Sequence, residues 1–142
     1  MKILKNLSIC LGIALMSTPI SCKKYEDGPL LSLRSKKERV ANTWKIFAAY
    51  EDGQDVSDNY DQYEIEFDIS GDARLEATYT FSNVTYSTET DGTWEFNNDK
   101  ENISIDMEDD SADETYQILK LKEDELWLRE LGGEVELHFE PK

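Results

Sequence analysis

From residue 42 to the end of the chain, apolar side chains recur at every second position, and this alternation limits the possible folds more than any other feature. Trp44, Ile46, Ala48 and Tyr50 alternate with Lys45, Phe47 and Ala49. Tyr63, Ile65, Phe67 and Ile69 alternate with Glu64, Glu66 and Asp68, and Leu75, Ala77, Tyr79 and Phe81 with Arg74, Glu76, Thr78 and Thr80. A period of two sends successive side chains to opposite faces of a strand, so each run predicts one apolar and one polar face. The pattern returns at 92–96, 103–107, 116–121, 126–129 and 135–139, and a polar, β-branched run over 82–88 admits a further strand. Leu119 and Leu121 fall out of step with Tyr116 and Ile118, which predicts a bulge. Ser70-Gly71-Asp72, Asn97-Asn98-Asp99-Lys100, Lys122-Glu123-Asp124 and Gly132-Gly133 supply turns between the runs. About eight short strands joined in sequence predict an all-β fold, a closed antiparallel barrel or a sandwich. Closure removes the edges that strands so rich in aromatics would otherwise expose.

Residues 30–41 predict one short helix before the first strand, with Ser32 as N-cap and Leu33, Lys36, Lys37 and Val40 at helical spacings. Arg34, Lys36, Lys37 and Arg39 make it basic in a chain with a net charge of −16. It is expected either to plug the acidic domain or to meet phospholipid headgroups. The acidic balance excludes nucleic acid, whose phosphates it would repel.

Few groups capable of catalysis are present. His138, the sole histidine, alternates outward with Glu136 and Glu140 and is expected to face solvent, and no catalytic residue is predicted. Two acidic loops offer oxygen ligands for calcium: Asp52, Asp55 and Asp58 in one, and Asp106, Glu108, Asp109, Asp110 and Asp113 in the other. Neither has EF-hand spacing, so charged rim loops are expected, and no metal or cofactor is assigned. The presumptive inward face carries Trp44, Tyr63, Phe67, Tyr79, Phe81, Trp94 and Phe96. An eight-stranded barrel is just wide enough to be filled by such side chains or to hold one small ligand. If it holds one, Trp44, Tyr63, Tyr79 and Trp94 are the candidate ligand-binding residues; the two phenols are of most interest because a buried hydroxyl needs a partner.

The N-terminus carries a second kind of information. Lys2 and Lys5 precede an apolar run, and the charge-free interval from Asn6 to Ser21 is 16 residues, against the about 20 that a spanning helix needs. A cleaved signal peptide is expected over an uncleaved anchor. Ser21-Cys22, with Ile20 before it, resembles the lipobox of bacterial lipoproteins, in which the cysteine sulfur takes a diacylglyceryl group and the new amine a third acyl chain. Two or more chains give lasting membrane attachment, at about 0.8 kcal/mol per buried methylene. The alternative, a disulfide, has only Cys10 as partner, and Cys10 lies in the segment to be removed. Removing residues 1–21 takes away Lys2, Lys5 and no acid, leaving 121 residues with a charge of −18. Residues 22–29 read as a tether ending in Gly28-Pro29. Lys24, Glu26 and Asp27 there resemble the surface-export signals of Bacteroidetes lipoproteins, so an outer-membrane position is expected, at the cell surface or facing the periplasm.

Asn42-Thr43-Trp44-Lys45-Ile46 after a short helix, Gly92-Thr93-Trp94-Glu95-Phe96 in mid-chain, Tyr116-Gln117-Ile118-Leu119-Lys120-Leu121, Glu125-Leu126-Trp127-Leu128 and the closing Leu137-His138-Phe139-Glu140-Pro141 resemble the lipocalin-like domain family of Bacteroidetes lipoproteins. Asn42 stands where lipocalins usually carry glycine. The resemblance implies an eight-stranded up-and-down barrel over residues 30–142 with a helix at one end. It implies small-molecule binding only as the lipocalin precedent, because fold does not fix function. Asp110-Ser111-Ala112 likewise resembles a Bacteroidetes O-glycosylation acceptor, which makes Ser111 a candidate modification site; Asn83-Val84-Thr85 and Asn102-Ile103-Ser104 fit the N-glycosylation sequon by accident. Two functions stay open: a membrane-anchored, non-enzymatic, monomeric barrel holding a small apolar or amphipathic ligand, or a filled barrel whose loops or outer face, with Trp127 on it, bind a protein or glycan.

Overall fold

The computed structural model describes residues 33–60 and 62–142, the side chains of Tyr79 and Phe81 excepted. The signal segment, Cys22, the tether and Ser32 lie outside the described residues. The alternating runs become β1 (Asn42–Glu51), β3 (Gln62–Phe67), β4 (Asp72–Phe81), β5 (Val84–Asn97), β6 (Asn102–Met107), β7 (Glu114–Leu121), β8 (Leu126–Glu130) and β9 (Val135–Pro141). A two-residue β2 (Gln54–Asp55) pairs only with the end of β1. Each strand is antiparallel to the next, and β9 pairs back onto β1, so the eight long strands close into an up-and-down barrel.

Four expectations are corrected in detail. The runs at 82–88 and 92–96 are one strand, the 14-residue β5. Its partner β4 reaches it through a two-residue turn, Ser82-Asn83, with φ of 49° and 63°. Two successive positive φ angles match the right-handed twist of a hairpin, and asparagine tolerates them better than most residues. In β1 the pairing with β9 shifts between Ile46 and Ala48. The bulge reverses the faces beyond it, so Ala49 is buried and Tyr50 points outward, opposite to a continued alternation. Ile69 lies past the end of β3 and is half exposed. The helix, α1, is only Lys36–Val40, capped by Ser35, whose hydroxyl accepts from Glu38 N while Glu38 Oε2 accepts from Ser35 N at 2.7 Å. The bulge expected in β7 is present, between Ile118 and Lys120.

The core fills the barrel from the α1 end. Val40 of α1 is fully buried, in one core cluster with Trp44, Phe67, Leu121 and Phe139. Burying a side chain such as Phe67 contributes about 1.5–3 kcal/mol relative to leaving it exposed. Gly92, opposite Met107, is required by close approach: a Cβ there would fall inside the contact radius of the Asp106 carbonyl oxygen and 2.7 Å from Met107 Cα. The opposite end, where β1 and β8 finish and β3, β7 and β9 begin, has no α-helix across it among the described residues.

Candidate functional site

The two ends of the barrel differ in chemistry. At the α1 end two inward indole hydrogens have backbone acceptors: Trp44 Nε1 donates to the Val40 carbonyl at 2.8 Å, and Trp94 Nε1 to the Asp68 carbonyl at 2.8 Å. Lys37 Nζ stands 5.7 Å from the centre of the Trp94 ring, and Arg34 pairs with Glu123 at 2.9 Å. Part of the basic helix therefore acts as the expected plug. Trp44 is fully buried and Trp94 nearly so.

The other end holds a cavity of about 210 Å³. Leu75, Val135 and Leu137 supply its apolar lining, and Tyr60, Tyr63 and Tyr116 its aromatic lining. Tyr60 comes from a 3₁₀ turn, Ser57–Tyr60, that follows β2; its ring meets that of Tyr63 edge-on at 5.9 Å. Ser57 fixes this turn, since its hydroxyl donates to Asp55 at 2.6 Å and accepts from Ala49 N at 3.0 Å. A second 3₁₀ turn, Asp110–Ala112, forms the opposite lip; Asp109 caps it by accepting from Ser111 N and Oγ, and Asp113 Oδ1 accepts from Met107 N at 2.7 Å. Three of the carboxylates in the two acidic loops, Asp55, Asp109 and Asp113, thus accept hydrogen bonds that hold their own loops, and those from Ser57 and Ser111 keep Asp55 and Asp109 below their ordinary range.

Asp113, Glu114 and Glu130 also line the cavity, and no lysine, arginine or histidine does so among the described residues. Register explains the position of the two glutamates. Glu114 is opposite the buried Ile105, and Glu130 is opposite Tyr116, so both project from strand ends on the inward face. Burial pushes the Glu130 carboxyl up, the charge and hydrogen bond of Glu114 push it further, and Glu51 at the end of β1 adds to the effect. Burial, with Tyr63 and Glu114 beside it, likewise raises the Tyr116 phenol well above its ordinary value.

Of the four residues expected to meet a ligand, Tyr63 lines this cavity, Trp44 and Trp94 are in the filled half of the barrel, and the Tyr79 side chain lies outside the described residues. Sequence reasoning missed Tyr60, Tyr116, Glu114 and Glu130. Tyr116 and Glu130 were within reach, because inward positions continue past the apolar part of β7 and β8. Tyr60 sits in a loop with no period to read. Ser111 is exposed on the lip, its hydroxyl donating to Asp109.

His138 is outward, as expected, but only 8% exposed, not solvent-facing. Its neighbours on the outer face are aromatic and cover it: Trp127 stacks on it at 3.9 Å and 5°, Tyr50 lies at 5.2 Å and Phe47 at 5.9 Å. His138 Nε2 donates to Glu136 at 2.6 Å, and Arg129 donates to the same carboxylate at 2.8 Å. Burial pushes Glu136 up, yet these two partners outweigh it and hold the carboxyl below its ordinary range. Lys120 Nζ stands over the Trp127 ring at 4.0 Å and pairs with Glu125 at 2.9 Å. Lys120 and His138 reach Trp127 from the strands on either side, so both faces of this indole are occupied.

No curated protein matches the chain. Among solved structures, that of a DUF4847 family protein from Bacteroides vulgatus is similar over 74% of this chain and 95% of that one, at 14% identity and a TM-score of 0.49. The family model described as a lipocalin-like domain matches residues 40–128, from the end of α1 into β8. With that match over more than half of its length, the chain belongs to the lipocalin-like domain family.

Proposed function

We propose that this protein is a non-enzymatic binding protein, tethered to the outer membrane by lipid on Cys22, that takes a small amphipathic molecule into the mouth of its barrel. The observation that carries the reading is the 210 Å³ cavity at the end opposite α1, lined by both apolar and polar side chains. Ligand sites combine those two features. An apolar cavity of about 150 Å³ admits benzene, so this one suits a single ring with a short chain and is too small for a long acyl chain. With so few atoms in contact, affinity in the micromolar to millimolar range is expected. The non-enzymatic part is supported by the placement of His138, on the outer wall between aromatic neighbours and away from the cavity.

Ala112 lines the mouth and is small, so Ala112→Trp should fill it from the lip. Titration with an environment-sensitive aromatic dye is expected to show saturable binding by the wild type and loss of about tenfold or more in the variant. Equal binding by both proteins would place the dye elsewhere and count against the reading.

A further inference from the structure

We infer that the molecule held at the barrel mouth carries a protonated amine, set against Glu114 and Glu130, with its apolar part among Tyr60, Tyr63 and Tyr116. This inference rests on the binding function proposed above and names the chemical class of its ligand.

Three features of the mouth converge on a cation. First, six acids elsewhere on or beside the strands have cationic partners: Glu64 has Lys142, Glu125 has Lys120, Glu136 has Arg129, Glu140 has Lys45, and Arg74 serves both Glu89 and Asp91. The cavity lining offers Glu114 and Glu130 no such partner. Second, both carboxyls stand on the inward face, where lowered polarity makes two like charges costly and a compensating positive charge favourable. The raised affinity of Glu130 for protons is the same imbalance seen without ligand; an ammonium group would supply the missing charge. Third, the aromatic lining attracts a cation through the negative faces of its rings. A ligand bearing a carboxylate would meet Asp113, Glu114 and Glu130 and be repelled. The titratable groups around Glu130 are Glu51 of β1, Tyr60 of the 3₁₀ turn after β2, Tyr63 of β3, and Asp113, Glu114 and Tyr116 of β7 and its approach. Each of them is acidic, so the sign of the field at the mouth is uniform.

The test is calorimetric titration of the purified protein at pH 7 with three probes of nearly one shape: 2-phenylethylamine, 2-phenylethanol and 3-phenylpropionate. The amine is expected to bind about tenfold or more tightly than the alcohol, and the propionate most weakly. As the pH is lowered into the carboxylate range, amine binding should release protons from the raised Glu130 carboxyl, read from the dependence of the heat on buffer. Glu114→Gln and Glu130→Gln should each remove most of the amine's advantage and leave the alcohol's affinity in place. Both variants relieve repulsion, so neither should melt below the wild type, and a folded sample is assured by that measurement. Equal binding of amine and alcohol, or an amine preference that survives both substitutions, would overturn the cation inference while leaving the binding site itself standing. Absence of binding by all three probes would overturn the inference together with the function on which it rests.

Discussion

A single indole or carboxyl in this protein can be assigned its role by asking what already satisfies it. The Nε1 groups of Trp44 and Trp94 are spent on the carbonyls of Val40 and Asp68, so these tryptophans build the core. The sequence marked both as large and inward, and that much is right; it could not reveal that their hydrogen bonds close on local backbone, because the acceptors come from a helix end and a turn. Gly92 is equally structural. Gly92→Ala should cost about 1–3 kcal/mol, since the clash is with backbone that cannot rotate away. Thermal unfolding checks this, and a melting temperature equal to the wild type's would contradict it. Glu130 is the opposite case, a residue that the fold tolerates at a cost. Its carboxyl binds protons more tightly in the folded barrel than in the unfolded chain. The protonated form therefore favours folding, a contribution fully present below the unfolded pKa and lost as pH rises through the folded one. Glu130→Gln is expected to be more stable than the wild type at pH 7, with the difference closing toward about pH 4. Urea unfolding at the two pH values measures it, and a variant less stable at pH 7 would show that Glu130 has a stabilising partner.

The strands were legible wherever the period of two ran unbroken, as in β3, β4 and β6. It failed at features that insert or reverse a residue. The bulge after Ile46 sends Tyr50 outward to cover His138, and no local composition announces it. The bulge in β7 did announce itself, because Ile118, Leu119 and Leu121 cannot all face inward without one. The Ser82-Asn83 turn lacks glycine and was read as strand, yet its two left-handed residues are what permit the hairpin. The helix was visible but too long, since Ser35 and Glu38 form a capping box that starts it later than Ser32. Ser35→Ala should remove that box, cost about 1 kcal/mol and lower the melting temperature by a few degrees. Hydrogen exchange should localise the loss to Arg39 and Ala41, whose amides donate to the Ser35 and Lys37 carbonyls. Unchanged protection at both amides would mean that packing of Val40 alone holds α1.

On the scale of the whole molecule, one end of the barrel is closed by α1 over a filled core, and the other ends in a small cavity with an acidic rim. An alternation-based reading predicts a choice between a filled and a hollow barrel; the molecule divides the two between its ends, because side chains of Trp and Phe size occupy the α1 half and strand-end Tyr and Glu the other. Cys22 would orient this object by holding its N-terminal side near a bilayer. A Cys22→Ala protein is accordingly expected in the soluble fraction and the wild type in the membrane fraction, and a variant that still sediments with membranes would remove the lipid anchor from the account. The most direct test of a binding mouth is amide chemical-shift mapping of the purified protein during titration with 2-phenylethanol. The account predicts saturable shifts clustered at Tyr60, Tyr63, Ala112, Tyr116 and Glu130. Shifts confined to the Trp127–His138 wall, or none that saturate, would contradict it.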